Sequence, residues 1–546
     1  MVANGTTNPA TLLAICVAEA ALKVGVTDVV VCPGSRSAPL AWQFAALANK
    51  GRIKLHTRID EREAAFLALG LAKKSNRPVP VVVTSGTAVA NLLPAVVEAH
   101  HSGVPLIVLS ADRLAAVRRN SAPQTTIQPG MFENFVKTQV DTATATEQIY
   151  AAFQNSITGH FGPVHINTQF DLPLMPTDPT AVIAEVAVAE FKEVIAESKP
   201  LTLPARGLLI VGDISPGPQV EKLAQFAKAA GYPIIWEPTA QLHSSDNALS
   251  YGALLLQTGK TPKPDVVISV GLIGLSRSVL ALLKSTPKHI AIHLPNSGSD
   301  LPNPVLSAQE IINYIPQALT PAESSWLSTW QELDQLAGQV VIKNLNSETL
   351  TGPNTAVELW NQLADDSNLF ISASWPVRHI EMYAQTRTGL TVFGNRGVNG
   401  IDGLISTACG LALNATQRTY LLIGDIAFLH GMAGLNISDF NVKPNLTVVV
   451  VDNDGSGIFS QLEQGDPAYS KYFEQIFGTP HGRDLWVIAE ALGVPAARVT
   501  TKSEFVSALN RTNKIPGIHV IVCTTGQRSA EQAQITKITK EVNEAL

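Results

Sequence analysis

The sequence is poor in cysteine, and its four cysteines form no Cys-x-x-Cys pair. This scarcity argues against a disulfide framework and a zinc site, and it predicts a reducing, cytoplasmic setting. A net charge of −6 gives no general attraction to nucleic acid, so we expect no nucleic-acid partner. The four cysteines are Cys16, Cys32, Cys409 and Cys523.

Long apolar runs are also missing from the sequence. None reaches the roughly 20 residues that cross a bilayer, so we expect no membrane span. Residues 1–7 lack a basic segment followed by an apolar core, which predicts no signal peptide. Hydrophobic residues make up 45% of the chain and charged residues 15%, which fits folded α/β domains and excludes wholesale disorder. With 546 residues, the chain is too long for a single core.

The N-terminal third repeats one order of strand, loop and helix. Apolar, β-branched runs at 28–32, 79–84 and 105–110 are each followed by a polar or glycine-containing loop. This order predicts a parallel sheet covered by helices on both faces, with the loops at one edge. A binding site is expected at that edge. The three loops are 33–37, 85–87 and 111–113.

Two further units follow from the same kind of pattern. Proline-rich residues 171–179 predict a domain exit, followed by a connector to about residue 206. A second alternating region ends before residues 316–325, which separate it from the third. We therefore predict an α/β protein of three doubly wound parallel-sheet domains. The predicted domains span 1–185, 186–325 and 326–546.

Oxygen donors follow two apolar runs of the third unit. Gly424 and Asp425 follow the run 420–423, and Asp452, Asn453, Asp454 and Gly455 follow the run 446–451. Residues 432–440 could supply the crossover helix that neighbouring parallel strands require. Carboxylate, amide and carbonyl oxygens at one sheet edge suit Mg²⁺ holding a diphosphate. Ordinary polar turns explain the same spacing equally well at this stage.

A glutamate in the first unit completes a pattern. Glu61 lies in Asp60-Glu61-Arg62, directly before the helical pattern 64–73. Together with the two strand ends of the third unit, this resembles the thiamine-diphosphate-dependent enzymes and their three-domain fold. The denser resemblance is to one branch, the 2-succinyl-5-enolpyruvyl-6-hydroxy-3-cyclohexene-1-carboxylate synthases of menaquinone biosynthesis. Its motifs are the segments 33–40, 60–62, 84–88, 395–397, 400–403 and 457–459.

The resemblance implies a role for each matching residue. The first domain would hold the aminopyrimidine ring through Glu61, the catalytic residue, and the third would hold the diphosphate. The metal ligands would be Asp425, Asn453 and the Gly455 carbonyl, which makes Asp454 a non-ligand. Gly424 and Ile401 would also contact the cofactor. The substrate-binding positions would be Ser35, Arg36, Arg113, Gln124, Ser374, Arg378, Arg396, Ile458 and Phe459, with a looser match at Arg277.

The implied reaction is decarboxylation of 2-oxoglutarate, followed by addition of the succinyl-semialdehyde carbanion to isochorismate. The implied cofactors are thiamine diphosphate and Mg²⁺, with Mn²⁺ as an alternative. Both substrates are dianions, and the guanidinium fork of arginine suits carboxylates, which agrees with arginines on the loops. Because the glutamate and the metal ligands lie in different domains, the family builds its sites between subunits. A homodimer or homotetramer is therefore expected.

Two other functions stay open from the sequence. The first is another carboligase or decarboxylase acting on a different 2-oxo acid, such as an acetolactate synthase. The second is a non-catalytic nucleotide- or flavin-binding regulator that uses the middle sheet. The group that transfers protons is also open, since the cofactor's amino group, Glu61 and bound water are all candidates.

Overall fold

Three parallel sheets form the framework of this computed structural model. The structure describes residues 8–179, 195–295, 297–298, 300–319, 323 and 325–546. Each large sheet is covered by helices on both faces, which confirms the predicted fold class. None of the helices in the described ranges is long and apolar enough to cross a membrane.

The first sheet has six parallel strands in the order β2-β1-β3-β4-β6-β5. Valine and isoleucine fill its central strands, as expected for strands buried on both faces. The strands are β1 Asp28–Val31, β2 Lys54–Thr57, β3 Val79–Val83, β4 Leu106–Asp112, β5 Gln139–Thr142 and β6 Val164–Gln169. The helices are α1 Pro9–Lys23, α2 Ala38–Asn49, α3 Glu61–Ser75, α4 Thr87–Ala90, α5 Leu93–Ser102 and α6 Glu147–Asn155.

The middle region has a five-stranded parallel sheet in the order β12-β11-β10-β8-β9 and a separate pair, β13-β7. The strands are β7 Ser198–Leu201, β8 Gly207–Val211, β9 Ile234–Trp236, β10 Val266–Val270, β11 His289–Ile292, β12 Glu310–Ile312 and β13 Ile315–Ala318. The helices are α7 Pro218–Ala230, α8 Gly252–Thr258 and α9 Arg277–Ser285. The predicted connector and separator therefore pair with each other as β7 and β13.

The third sheet repeats the strand order of the first. Its order is β15-β14-β16-β17-β19-β18, so both sheets have the topology 2-1-3-4-6-5. The strands are β14 Ser367–Ile371, β15 Leu390–Phe393, β16 Thr419–Gly424, β17 Leu446–Asp452, β18 Ala496–Val499 and β19 Ile518–Thr524. The helices are α10 Trp326–Leu345, α11 Gly352–Gln362, α12 Trp375–Tyr383, α13 Leu404–Leu413, α14 Asp425–Gly431, α15 Ser470–Phe473, α16 Leu485–Ala491, α17 Lys502–Thr512 and α18 Arg528–Ala545.

The predicted crossover helix at 432–440 is wrong. The helix between β16 and β17 is α14, which begins at Asp425 itself, and only a 3-10 turn at Met432–Leu435 follows it. The Asp425 Oδ1 atom accepts the Ile426 N–H at 2.6 Å, so the aspartate starts the helix directly after the strand. Its side chain is therefore fixed at the carboxyl edge of the sheet.

Apolar cores join the regions to each other. One core contains residues of α3, α13, and the first and third sheets, and a second joins the middle sheet to the third. Helix α10 packs on the middle sheet, where the Trp326 indole N–H donates to the Gly207 carbonyl at 2.7 Å. The predicted boundary at 185/186 lies outside the described residues. The exact domain boundaries therefore stay predictions.

Candidate active site

The two oxygen-bearing strand ends of the third unit lie side by side. Strands β16 and β17 are neighbours in parallel register, with Gly424 opposite Val451. Asp425 is buried, and its Oδ2 atom accepts the N–H groups of Gly455 at 2.8 Å and Asn453 at 3.2 Å. The two loops thus converge on one carboxylate.

Gly455 is held in a conformation that needs glycine. Its φ is +132°, and a Cβ there would lie 2.2 Å from the Gly478 carbonyl oxygen. Asp454 has a positive φ of 57°, is exposed, and accepts the N–H groups of His481 and Gly482 at 2.9 and 2.8 Å. The Asp454 carboxylate is therefore occupied with the loop that carries His481.

A cavity of about 440 Å³ lies beside these strand ends. It brings together ten of the residues predicted from the sequence, all of them from the third unit. They are Ser374, Arg378, Arg396, Ile401, Gly424, Asp425, Asn453, Gly455, Ile458 and Phe459. The cavity thus combines oxygen donors at one strand edge, an apolar wall and two guanidinium groups.

The side of the cavity that contains Arg378 and Arg396, here called the arginine side, combines a strained backbone with poorly solvated side chains. Ser374, at the N-terminus of α12, has a φ of 72° and a ψ of −134°, a region that residues other than glycine rarely adopt. Its carbonyl accepts the Arg378 Nη1–H at 2.9 Å. Arg396 is 6% exposed, and burial lowers the pKa of the Arg378 guanidinium. Both charges are therefore held in a poorly solvated place.

The loop that carries Arg396 is anchored to the first unit. Glu98, in α5, accepts the N–H groups of Gly397 and Val398, both at 2.9 Å. Lys73 donates to the Gly394 carbonyl at 2.6 Å on the other side of Arg396. This side of the cavity consequently depends on contacts between two domains of one chain.

Three predicted residues of the first unit, Arg36, Arg113 and Gln124, lie on the loops at the carboxyl edge of the first sheet. Gln124 Nε2 donates to the Ser85 carbonyl at 3.2 Å, and Arg113 Nε donates to the Pro123 carbonyl at 3.1 Å. Arg36 Nη1 donates to the Phe170 carbonyl at 2.9 Å. Burial, followed by the neighbouring Arg113 charge, lowers the pKa of Arg36.

Glu61 begins helix α3, as its position before the helical pattern predicts. Asp60 caps this helix by accepting the Glu63 N–H at 3.2 Å, so the Glu61 side chain leaves the first turn. Glu61 is partly exposed, as are Arg36 and Arg113, while Ser35 and Gln124 are exposed. None of these five residues lines the 440 Å³ cavity.

Arg277 lies close enough to Arg378 for the two charges to interact. It is exposed at the first position of α9, and its charge contributes to the lowered pKa of Arg378. Gly274, three residues earlier, lines the cavity directly. The middle domain therefore reaches the site through this loop.

Two family profiles match the regions that carry these clusters. Residues 13–134 match the N-terminal TPP binding domain of thiamine pyrophosphate enzymes, and residues 373–523 match their C-terminal TPP binding domain. A 2-succinyl-5-enolpyruvyl-6-hydroxy-3-cyclohexene-1-carboxylate synthase of Saccharopolyspora erythraea is 36% identical, over 99% of this chain and 99% of that protein. The synthase of Thermobifida fusca is 38% identical, over 92% of this chain and 94% of that protein.

This chain belongs to the 2-succinyl-5-enolpyruvyl-6-hydroxy-3-cyclohexene-1-carboxylate synthase family. It is a thiamine-diphosphate-dependent enzyme, which confirms the resemblance read from its motifs. The fold is also that of the crystal structure of benzoylformate decarboxylase from Polynucleobacter necessarius. That structure has a TM-score of 0.68 and 17% identity, and the match covers 95% of this chain and 99% of that one.

Several groups in this synthase-family site were missed by sequence reasoning. His481 Nε2 lies 3.4 Å from both Asp425 Oδ2 and Asp452 Oδ1, and the three side chains form a group that could hold a metal ion. The neighbouring Asp425 carboxylate raises the pKa of His481. Trp375, His379 and Glu531 also line the cavity. The sequence already places Asp452 among the oxygen donors that follow the apolar run 446–451, whereas His481 and Glu531 come from distant segments with no local motif.

Proposed function

We propose that this chain decarboxylates 2-oxoglutarate with thiamine diphosphate and adds the four-carbon remainder to isochorismate. The products are 2-succinyl-5-enolpyruvyl-6-hydroxy-3-cyclohexene-1-carboxylate and CO2, in menaquinone biosynthesis. One observation carries the proposal: a single cavity joins the oxygen donors of two strand ends to two poorly solvated arginines. A cofactor diphosphate with its metal and an acidic substrate need these two kinds of partner.

The residues present fit the cofactor and its metal. Asp425, Asn453 and the Gly455 carbonyl offer the hard oxygen donors that suit Mg²⁺, with Mn²⁺ as an alternative. A methyl group on Gly424 would meet no atom within 4 Å, so the edge beside Asp425 is open. We propose that these residues hold the diphosphate through the metal, and that Ile401 supports the cofactor from its apolar side. When bound, the cofactor supplies the electron sink for loss of CO2.

The substrate roles follow from charge and shape. Arg378 and Arg396 would bind carboxylates of the substrates, and Ser374 would orient one of them. Ile458 and Phe459, on the 3-10 turn Gly457–Gln461, would exclude water from the reacting atoms. Arg277 would attract dianions at the entrance. The described residues would therefore bind and orient the substrates and exclude water from the reacting atoms. These are the tasks that the protein performs in such a reaction.

We propose that the complete site lies between two copies of the chain. Glu61, Ser35, Arg36, Arg113 and Gln124 would then come from the partner and meet the cavity from outside. Apolar side chains that lie close in the chain to Glu61 and Arg396 support this, since Ile59 is 69% and Val398 46% exposed in the single chain. A homodimer is the smallest assembly that closes both sites, and a homotetramer contains the same pair.

A complementation experiment tests the shared site. Glu61→Gln and Asp425→Asn should each be inactive. A heterodimer of the two variants has one intact site if Glu61 and Asp425 come from different chains. Random mixing should then recover about a quarter of wild-type activity. Recovery of none would place both residues in one chain. Co-expression with two affinity tags isolates the heterodimer.

The reaction itself is tested with defined substrates. The purified protein, with Mg²⁺ and thiamine diphosphate, is incubated with 2-oxoglutarate and isochorismate, and the adduct is measured by mass spectrometry. The proposal predicts the adduct and CO2 in equal amounts. Release of CO2 from pyruvate but not from 2-oxoglutarate would instead favour an acetolactate-type enzyme.

We propose that the protein is cytoplasmic. The four cysteines are free thiols, and three of them are buried. Burial raises the pKa of the Cys409 thiol to about 12, so this group is unreactive in the native fold. Localisation of the tagged protein by cell fractionation tests the proposal.

A further inference from the structure

Two buried carboxylates stand behind the arginine side of the cavity. Glu237 follows strand β9 in the middle domain and is 2% exposed, and Glu381 lies in α12 and is 4% exposed. Neither belongs to the lining of the cavity, which is formed here by Arg378 and Arg396. Buried carboxylates are costly unless cations or N–H groups satisfy them, so their placement calls for a role.

Glu237 anchors the middle-domain loop at the cavity. Its Oε1 atom accepts the N–H groups of Gly274 at 2.7 Å and Leu275 at 2.9 Å. Gly274 lines the cavity, and Arg277 begins α9 directly after this loop. Among the residues that the structure describes, the buried Glu237 Oε2 has no hydrogen-bond partner, and neither has the buried Arg396 Nε. Two unsatisfied groups of opposite charge thus belong to one electrostatic cluster.

Glu381 lies three residues after Arg378 on the same helix, so both side chains share one face of α12. The charged groups that face Glu381 are Glu237, Arg378 and Arg396. The charged groups that face Glu237 include Arg396 and Asp213. Arg378 is also faced by Arg277. Asp213 in turn is faced by Lys73, Glu98 and Arg396. The cluster therefore pairs the arginines of the cavity with carboxylates from two domains.

The protonation of these carboxylates changes the charge of the cluster. Burial raises the pKa of Glu381 well above its ordinary value, and the negative charge of Glu237 adds to the rise. Burial likewise raises the pKa of Glu237, against the opposing effect of Arg396. At low pH the carboxyls are neutral and the arginine charge is uncompensated. As the pH rises through these pKa values, the carboxylates ionise and offset that charge.

We propose that Glu237 and Glu381 are positioning residues, which hold Arg378 and Arg396 at the cavity and set the positive charge that this side presents to a dicarboxylate substrate. The inference rests on the proposed function, since it assigns the arginines to substrate carboxylates. Through Glu237, the middle domain would also contribute to the selectivity of the site for a dicarboxylate substrate. It also predicts that affinity for a dianion falls as the pH rises.

Succinate tests the inference without turnover, because it is a dianion with no keto group to react. Its binding to the protein loaded with Mg²⁺ and thiamine diphosphate is measured by calorimetry between about pH 6 and about pH 9. The wild-type dissociation constant should rise by about fivefold or more across this range. Glu381→Gln and Glu237→Gln should each reduce this pH dependence, because each variant removes one of the two titrating carboxylates.

Asp334→Asn is the matched control. The Asp334 carboxylate also accepts two successive backbone N–H groups, of Ser250 at 3.0 Å and Tyr251 at 2.7 Å. Burial raises its pKa to about 6, so it titrates near the same range, with only those two bonds opposing the rise. This variant should bind succinate as the wild type does. Glu381→Asp retains the carboxylate and should retain the pH dependence.

Three results would overturn the inference: a wild-type affinity that does not change with pH, a Glu381→Gln variant that follows the wild type, or an equal loss of pH dependence in Asp334→Asn. If Glu381→Gln does not fold, Glu237→Gln carries the same comparison. The proposed function fails separately, when the wild-type protein forms no adduct from 2-oxoglutarate and isochorismate. Kinetics of the variants add a second measurement, since the KM for 2-oxoglutarate should change with pH more than kcat.

Discussion

Gly70→Ala should destabilise the protein, although alanine normally stabilises a helix. Gly70 lies inside α3, where it faces α13 of the third domain. An added methyl group would lie 2.0 Å from the Thr407 carbonyl oxygen and 2.8 Å from its carbonyl carbon. Both atoms belong to the backbone of α13, so no side-chain rotation can relieve the overlap. The helices must separate by more than about 1 Å to restore normal contact.

The size of the effect follows from two opposing contributions. Overpacking of this kind costs about 1–3 kcal/mol, and more when backbone must move. The higher helix propensity of alanine relative to glycine offsets about 1 kcal/mol of this cost. Because the overlap is with backbone, we take the cost as about 3 kcal/mol, which leaves a net loss of about 2 kcal/mol. Such a loss lowers the Tm of a domain of 150–250 residues by about 4–8 °C. Separating α3 from α13 also shifts Glu61 at the start of α3, and with it the position that Glu61 would take at the partner's cavity in the proposed dimer, so kcat should fall.

Calorimetry and steady-state kinetics on the same samples measure both effects. Gly526→Ala is the control, because a methyl group there would meet no atom within 4 Å. It should leave the Tm within about 1 °C of the wild type, as surface substitutions usually do. A Gly70→Ala variant with an unchanged or higher Tm would show that the contact between α3 and α13 is not as close as described.

Three other predictions concern single side chains. Glu61→Gln should fold and bind Mg²⁺ but lose turnover, as thermal denaturation, calorimetry and the adduct assay would show. Asp425→Asn should weaken Mg²⁺-dependent binding of thiamine diphosphate by at least about tenfold in calorimetry, whereas Asp454→Asn should not. Burial lowers the pKa of His165 to about 4. Because its folded pKa lies below its unfolded value, stability should fall by about 3 kcal/mol as the pH drops from about 6.5 to about 4. His165→Gln should remove that loss from denaturation curves.

The strand ends were the part of the site that the sequence could predict. Asp425 and Asn453 follow buried valine- and leucine-rich strands, and the strand order confirms that these strands are neighbours. Glu61 precedes a helical pattern and begins α3 in the structure. Such residues are recognisable because position after a strand or before a helix is a local property. The repeated topology of the first and third sheets has no comparable signal, since their sequences show no tandem repeat.

The predicted position of the helix between β16 and β17 is wrong, because the local sequence pattern does not show where this helix begins. The sequence pattern favours a crossover helix later in the chain, at 432–440. In the structure the aspartate accepts N–H groups from its own helix start and from the neighbouring loop. A carboxylate at the first helical position can accept an N–H group of the first turn and is favoured there by the helix dipole, so the helix can begin directly after the strand. The pattern of apolar residues after Asp425 is too short to reveal this.

The carboxylates that support the site were not predictable, and the reason is physical. Glu98 accepts two N–H groups from a loop 299 and 300 residues away, and Glu237 does the same for a loop 37 and 38 residues away. In a sequence, each is a charged residue that would ordinarily face solvent. Only the fold shows that each is buried, because burial becomes tolerable once distant N–H groups and arginines satisfy the charge. The residues that contact substrate can therefore be proposed from motifs, whereas those that hold the arginines in place follow only from the packing of three domains.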